Sequence, residues 1–232
     1  MESKFNYKNF SIVIPIYNEE EILEESTNAI FSLCKRMGID FEIIFSENGS
    51  TDKTKAIAEE LTNKHPEIKI ISNPEPNYGN ALKTGFKIAK NDLVVSFDID
   101  YYSESFLSEA LKLESEYSGI TASKRLGSSE DGRRFIRRLA TNFFVILLKT
   151  LFGTKLSDTH GMKAIKKSEI EKFLPKVVST QDIFDTELLI RIEKNGGKIK
   201  EVPAKVNEIR PSVSLSLIHI SEPTRPERIA DA

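Results

Sequence analysis

The stretch "LVVSFDID", Leu93 to Asp100, runs from an apolar, strand-like segment into two carboxylates one residue apart. One explanation is structural: a strand stops where polarity begins, and an Asp there caps whatever helix follows. The other is chemical. An Asp-x-Asp pair at the carboxyl end of a strand holds a divalent cation, a hard ion that seeks carboxylate oxygen, and such an ion in turn binds a diphosphate. On the second explanation Asp98 and Asp100 are metal ligands, and the rest of the chain has to decide between the two.

Outward from this stretch the pattern alternates. Short β-branched or apolar runs recur at "FSIVIPI", "FEIIFS", "IKIIS", "DLVVSF" and "GITAS", with amphipathic stretches such as "EEEILEESTNAIFSLCKRMG" and "DKTKAIAEELTNKH" between them. Strand and helix in alternation predict an α/β fold, a mainly parallel, Rossmann-like sheet flanked by helices. In such sheets ligands bind beyond the carboxyl ends of the strands.

Those ends are polar throughout. The first reads "IPIYNEEE", where Pro15 stops ladder pairing and Asn18 is placed to cap a helix beginning among Glu19, Glu20 and Glu21. The second reads "SENGSTDKT": Asn48-Gly49 makes a turn, Ser50 or Asp52 caps the next helix, and Glu47 sits at the strand tip with no structural need to be acidic. The third, "NPEPNYGNALKTG", supplies Gly79 at a tight turn and Lys83 on the following helix. With "FDID" as the fourth, three of the four ends bring carboxylates to one rim.

Composition sets outer bounds. A chain of 232 residues forms one large domain or two small ones. A formal net charge of -2 lacks the basic excess of a nucleic-acid binder, so no nucleic-acid partner is expected. Cys34 stands alone and reads as a buried thiol, while His65, His160 and His219 lack metal-ligand spacing. The start, "MESKFNYKNF", has no long apolar core of a signal peptide, and the apolar run from Phe143 to Leu148 falls far below the roughly 18 residues of a membrane span. At the other end, "SLSLIHISEPTRPERIADA" has little periodicity and resembles a translated sequencing-adaptor tail. Residues 1–213 are therefore expected to form the domain and 214–232 a non-native or disordered tail, the native protein continuing differently and membrane helices beyond this point staying open.

The segments taken together resemble glycosyltransferase family 2, in its dolichyl-phosphate mannose synthase-like branch of polyprenyl-phosphate glycosyltransferases. "VIPIYNEE" matches the opening motif, "ENGSTDKT" stands where the family commonly has Asp-Asp-Gly-Ser-x-Asp, and "FDID" fills the Asp-x-Asp position. "SKR" at Ser123 to Arg125, "RRFIRRLATN", "DTHGMKAIKKSEI" and "FDTELLIRIEKNGGKIKEVPAKVNEIR" extend the likeness from about Phe10 to Arg210. Singly these motifs are weak to moderate; their order and spacing are specific.

The resemblance implies the GT-A fold and an inverting transfer of a sugar from a nucleoside-diphosphate sugar to a polyprenyl phosphate lipid. It places the protein peripherally at the cytoplasmic, inner face of a membrane. It implies a nucleotide site of Pro15, Tyr17, Asn18, Glu19, Glu47, Asn48, Gly79, Lys83 and Asp98, with Mg²⁺ or Mn²⁺ on Asp98 and Asp100. Asp98, Asp100 and three phosphate-binding arginines, Arg125, Arg138 (or its neighbour Arg137) and Arg210, are the implied catalytic set; guanidinium suits that task by its paired donors. Two positions depart from the pattern. Glu47-Asn48 replaces an Asp pair, which leaves base and sugar open, and Tyr102 stands where the branch has a Gln on the metal. "DTHGMK" is also one residue shorter than the usual form, which leaves His160 without an assigned role.

The remaining signals have two readings each. Arg133, Arg134, Arg137 and Arg138 at helical spacing, followed by "LATNFFVILLKTLFG", form either a solvated basic turn before a core helix or an amphipathic element on an anionic membrane surface. "QDIFDTELLIRIEKNGG" reads as a helix with Ile183, Phe184, Leu188, Leu189 and Ile192 on its apolar side, and Asp182, Asp185 and Glu187 either exposed in its first turn or part of a site. "KIKEVPAKV" reads as a strand toward the sheet edge with Glu201 structural. Two alternatives to lipid transfer stay open: a saccharide hydroxyl as acceptor, with Asp158, Asp182 or Asp185 as base, and a nucleotide-sugar-binding domain without turnover.

Overall fold

The computed structural model describes residues 5–123, 126, 146–158, 161–181 and 183–204. Within them seven strands form one sheet: β1 (Asn9–Ile16), β2 (Asp40–Asn48), β3 (Ile68–Asn73), β4 (Leu93–Ser96), β5 (Gly119–Ser123), β6 (Lys163–Lys166) and β7 (Ile199–Pro203). Their order is β3-β2-β1-β4-β6-β5-β7. Only β6 runs against its neighbours; β1 pairs in parallel with β2 and β4, β2 with β3, and β5 with β7. The expected mainly parallel sheet is present, with β7, the "KIKEVPAKV" strand, at its edge as expected.

Helices cover both faces, and the alternation of side chains along each strand decides which residue meets which layer. On β4, Leu93 and Val95 join β1, α1 (Leu23–Met37), α2 (Thr54–Lys64) and α4 (Glu104–Leu111) in one core, and Phe97 and Ile99 continue it. Val94 faces the opposite core with Leu82 and Phe86 of α3 (Tyr78–Ile88), Ile170 of α6 (Lys167–Phe173) and Leu188 of α7 (Phe184–Lys194). Residues 146–152 form a further helix, α5. Each large apolar side chain so buried contributes about 1.5–3 kcal/mol. Cys34 lies in the first core, where burial pushes its thiol up to about 12.

The structure adds one strand to those read from sequence and decides two local readings. β6 carries no strong strand signal, being four residues long with lysine at both ends; it exists because β4 and β5 both need a partner and Lys163 is neutralised inside. Ile183 is not on the buried side of α7: it precedes the helix and is 49% exposed, whereas Phe184, Leu188, Leu189 and Ile192 are fully buried. Of the two readings open for Asp185, the exposed first-turn one is excluded, since the residue is 2% exposed. Among the described residues no helix is long and apolar enough to cross a membrane. The tail 214–232 lies outside the described residues.

Candidate active site

The sheet opens between β1 and β4. Sequential strands step from β1 outward to β2 and β3, then return to the far side of β1 at β4, which makes a topological switch point there. Val13 accepts the Phe97 N–H at 3.2 Å, and the β1–β4 register ends at Val13–Ser96. Pro15, two residues on and facing the same neighbour, has no N–H to continue that ladder, while its pairing with β2 runs on to Ile16. The two strands part at their carboxyl ends, and the quoted carboxylates begin where they part.

On one wall of the crevice the first two connections are stitched together. Asn18 adopts a left-handed conformation (φ 53°) and its Oδ1 accepts the Thr51 N–H at 2.9 Å, while its own N–H donates to Ser50 Oγ at 3.1 Å. The Glu19 N–H donates to Thr54 Oγ1 at 2.7 Å, the Glu20 N–H donates to Asp52 Oδ2 at 3.3 Å, and the Glu20 carboxylate accepts the Lys53 N–H at 3.0 Å across the same seam. Asn18 therefore does not cap α1, which starts later, at Leu23, without a side-chain cap. Asp52 accepts the Thr54 N–H at 2.9 Å at the head of α2, as expected. Tyr17 stands 42% exposed at the rim.

The tip of β2 presents its two polar residues to opposite faces. Glu47, 2% exposed, accepts the Ser50 N–H at 2.6 Å, and Asn48 accepts the Asn77 N–H at 2.7 Å. Gly49 makes the expected turn with φ +73°, a conformation that suits glycine. Gly79 is not at a turn. It sits in the first turn of α3, where an added Cβ would lie 2.5 Å from the Thr180 carbonyl carbon and 2.6 Å from Gln181 O. Lys83 on the same helix donates to Val177 O at 3.2 Å, so α3 and the segment 177–181 form a second wall.

The motif itself closes in a tight turn, with the Tyr101 N–H donating to Asp98 O at 3.0 Å. Tyr78 OH donates to Asp98 Oδ1 at 3.2 Å. Asp98 retains a partly open surface although protein atoms crowd it on most sides. Burial pushes its carboxyl above the usual range; Lys163 opposes this, Asp100 adds to it, the Tyr78 bond opposes it and Asp185 adds again. Lys163 and Asp185 form an ion pair at 2.5 Å with almost no exposure. Sequence reasoning passed over Lys163 because lysine reads as a surface residue; its place in "GMKAI", between apolar neighbours, was the available signal. Tyr102 packs against the first core, where burial and then the charge of Glu25 push its phenol up.

The pair Asp98 and Asp100 fits a divalent cation. Both groups are hard oxygen donors, and their mutual repulsion is relieved by a positive charge. No group of three or more His, Cys, Asp or Glu among the described residues forms a closed metal cage. Two carboxylates supply only part of the shell of such an ion, which takes its other ligands from oxygen donors such as diphosphate and water. Elsewhere on the rim, Asp158 is buried and its N–H donates to Glu201 Oε1 at 3.3 Å; the same oxygen takes the N–H and Oγ of Ser157, so Glu201 is structural as read. Arg125, Arg133, Arg134, Arg137, Arg138, Arg210, Asp182 and His160 lie outside the described residues.

The sequence pattern of glycosyl transferase family 2 matches residues 11–174, which include most of the sheet, the first wall of the crevice and the Asp98–Asp100 pair. The chain belongs to this family. Glycosyltransferase AglD of Haloferax volcanii is 28% identical over 200 residues, which cover 83% of this chain and 32% of the relative. Undecaprenyl-phosphate 4-deoxy-4-formamido-L-arabinose transferase of Pseudomonas fluorescens is 29% identical over 169 residues, 71% of this chain and 48% of that one. The family 2 chain thus spans between 32% and 48% of the length of these curated relatives. Among solved structures, mannosyltransferase PcManGT of Pyrobaculum calidifontis, in complex with GDP-Man and Mn²⁺, superposes with TM-score 0.60 at 20% identity over 86% of this chain and 55% of that one. Glucosyl-3-phosphoglycerate synthase of Mycobacterium tuberculosis, with Mn²⁺, UDP and phosphoglyceric acid, gives 0.63 at 21% over 88% and 72%. A structure of the same enzyme holds Mg²⁺ and UDP. These likenesses establish the fold as GT-A.

Proposed function

We propose that this chain transfers a sugar from a nucleoside-diphosphate sugar to a polyprenyl phosphate, with inversion, at the cytoplasmic surface of a membrane. The observation that carries the donor half is the Asp98–Asp100 pair at the switch point where Pro15 parts β1 from β4. Tyr17, Asn18, Glu19, Glu47, Asn48, Gly79 and Lys83 then surround the nucleotide. Tyr17 offers a flat face, and carboxylate or amide groups on the β2 tip meet base and ribose. Asp98 and Asp100 would hold Mg²⁺ or Mn²⁺, which neutralises charge on the departing diphosphate. Tyr78 fixes Asp98 through its 3.2 Å hydrogen bond, so the carboxylate does not have to reorganise when donor arrives.

Transfer is a single displacement. An oxygen of the lipid phosphate forms a bond to the anomeric carbon while the bond from that carbon to the diphosphate breaks, the electron pair leaving with the nucleoside diphosphate. The acceptor half is supported by the relative named for undecaprenyl phosphate and by the arginine-rich segments. A panel of nucleotide sugars, labelled in the sugar and incubated with a membrane lipid extract and Mn²⁺, tests the whole reading. Label in the lipid phase is the expected result. Label only on an added soluble saccharide makes the acceptor a hydroxyl, and donor binding without turnover makes the chain a binding domain.

A further inference from the structure

We infer that Asn48 is a specificity-determining residue of the donor site, its amide nitrogen donating a hydrogen bond to a keto oxygen of the nucleobase. The inference rests on the proposal that a nucleoside diphosphate occupies this crevice. The Asn77 N–H donates to Asn48 Oδ1 at 2.7 Å, and an amide accepts only through its oxygen, so this bond fixes which way the Asn48 side chain lies. Nδ2 is left as a donor, and among the described residues no acceptor meets it. Glu47 does not take it: that residue faces the opposite layer, and the Ser50 N–H already occupies its Oε1. Asn48 is 6% exposed, a depth at which an unmet donor is costly.

Structure alone does not call for an amide here. An aspartate would accept the Asn77 N–H equally well, and its charge would suit a place beside the first turn of α3. What asparagine adds is the donor. Position selects the ligand atom that meets it. The consecutive residues Asn77 and Tyr78 bond to Asn48 and to Asp98, so the β2 tip and the carboxylate pair lie along one wall. β2 and β4 flank β1, two strand spacings or roughly 10 Å apart. A diphosphate held at Asp98 and Asp100 therefore brings its nucleoside, not its phosphates, to Asn48. A ribose hydroxyl donates as well as accepts and is served by Asp as well as by Asn, whereas a keto oxygen only accepts and requires the donor. It also projects beyond the ring edge, within easier reach of a buried strand tip than a ring nitrogen.

The test is calorimetry in the presence of Mn²⁺ with UDP, dTDP and GDP, whose bases carry keto oxygens, and with ADP, whose base carries none. Wild type should bind at least one of the first three about tenfold more tightly than ADP. Asn48→Asp keeps an acceptor for the Asn77 N–H and should melt as wild type does, yet it should lose about tenfold for that nucleotide and less than about threefold for ADP. A loss shared equally by all four nucleotides reports charge repulsion of the diphosphate and overturns the inference. So does unchanged affinity, the result that a ribose contact gives. ADP bound by wild type as tightly as the best keto-bearing nucleotide overturns it too, and that comparison needs no variant to fold. Wild-type protein that binds none of the four overturns the donor-site proposal itself and is thereby told apart.

Discussion

Replacing Glu187 with Gln tests whether the wall formed by residues 177–181 is held by charge. The Glu187 carboxylate accepts the Val178 N–H at 3.1 and 3.2 Å and the Ser179 N–H at 2.7 Å, and it pairs with Arg191 at 2.6 Å. Burial alone pushes this carboxyl up, but the bonds from Ser179, Val178 and Arg191 outweigh it and bring the group from 4.5 down to about 2. That difference corresponds to on the order of 3 kcal/mol in favour of the folded chain. With 20% of the side chain still exposed, solvent screening reduces it to roughly 2 kcal/mol. The sign follows from the lowered value: the contribution is full above the unfolded value of 4.5 and drains away as pH falls toward about 2. Urea denaturation of wild type and Glu187→Gln should show a gap of roughly 2 kcal/mol near neutral pH, shrinking steadily below about pH 4. Other carboxylates titrate in both proteins and cancel in the difference. A gap that is the same in acid and at neutrality refutes the electrostatic account and leaves only packing. Because the segment abuts Gly79 and Lys83, donor affinity should fall with stability.

Four further outcomes are expected. Asp100→Ala should abolish most of the Mg²⁺ or Mn²⁺ dependence of nucleoside-diphosphate binding in calorimetry; equal binding with and without metal in both proteins removes the metal role. Gly79→Ala should cost about 1–3 kcal/mol in thermal unfolding, because the new Cβ meets backbone of residues 180 and 181 that cannot swing aside. Unchanged melting and donor affinity there mean that the segment yields freely. Deleting residues 214–232 should leave melting and donor binding as they were, since the run lacks the periodic apolar face of a packed element. Arg138→Ala or Arg210→Ala should weaken use of the lipid acceptor more than binding of the donor, checked by separate titrations of the two substrates.

What could be read from sequence is what depends on local periodicity. β1, β2, β3, β4 and β5 carry apolar or β-branched runs bounded by turn residues, β7 mixes apolar and charged residues up to Pro203, and the rim follows from the rule that ligands meet parallel strands at their carboxyl ends. β6 could not be read, because a four-residue strand flanked by lysines is set by the demand of β4 and β5 for a partner. The same holds for side chains whose partners are distant in sequence. Asn18 has the composition of a helix cap, yet Thr51, 33 residues away, takes its carbonyl oxygen. Gly79 follows an Asn-Tyr pair that reads as a turn, yet its small size serves a backbone that arrives from residue 180. Lys163 and Asp185 become a unit only when β6 and α7 meet.

This last pairing also bears on the acceptor. A sugar hydroxyl must lose a proton as it attacks, and an enzyme that uses one needs a carboxylate or similar base within hydrogen-bond reach. Of the three aspartates that sequence position offers, Asp182 lies outside the described residues, Asp185 is engaged by Lys163 at 2.5 Å, and Asp158 is buried on a segment anchored by Glu201. Both oxygens of Asp185 are already engaged, Oδ2 by the Lys163 ammonium and Oδ1 by the Thr186 N–H. A lipid phosphate makes no such demand. Its second pKa is about 6, so it arrives already anionic and requires cations to hold it beside a negatively charged donor. The carboxylates of this crevice are thus suited to the metal and the nucleotide, and the proposed acceptor is the one whose chemistry needs none of them.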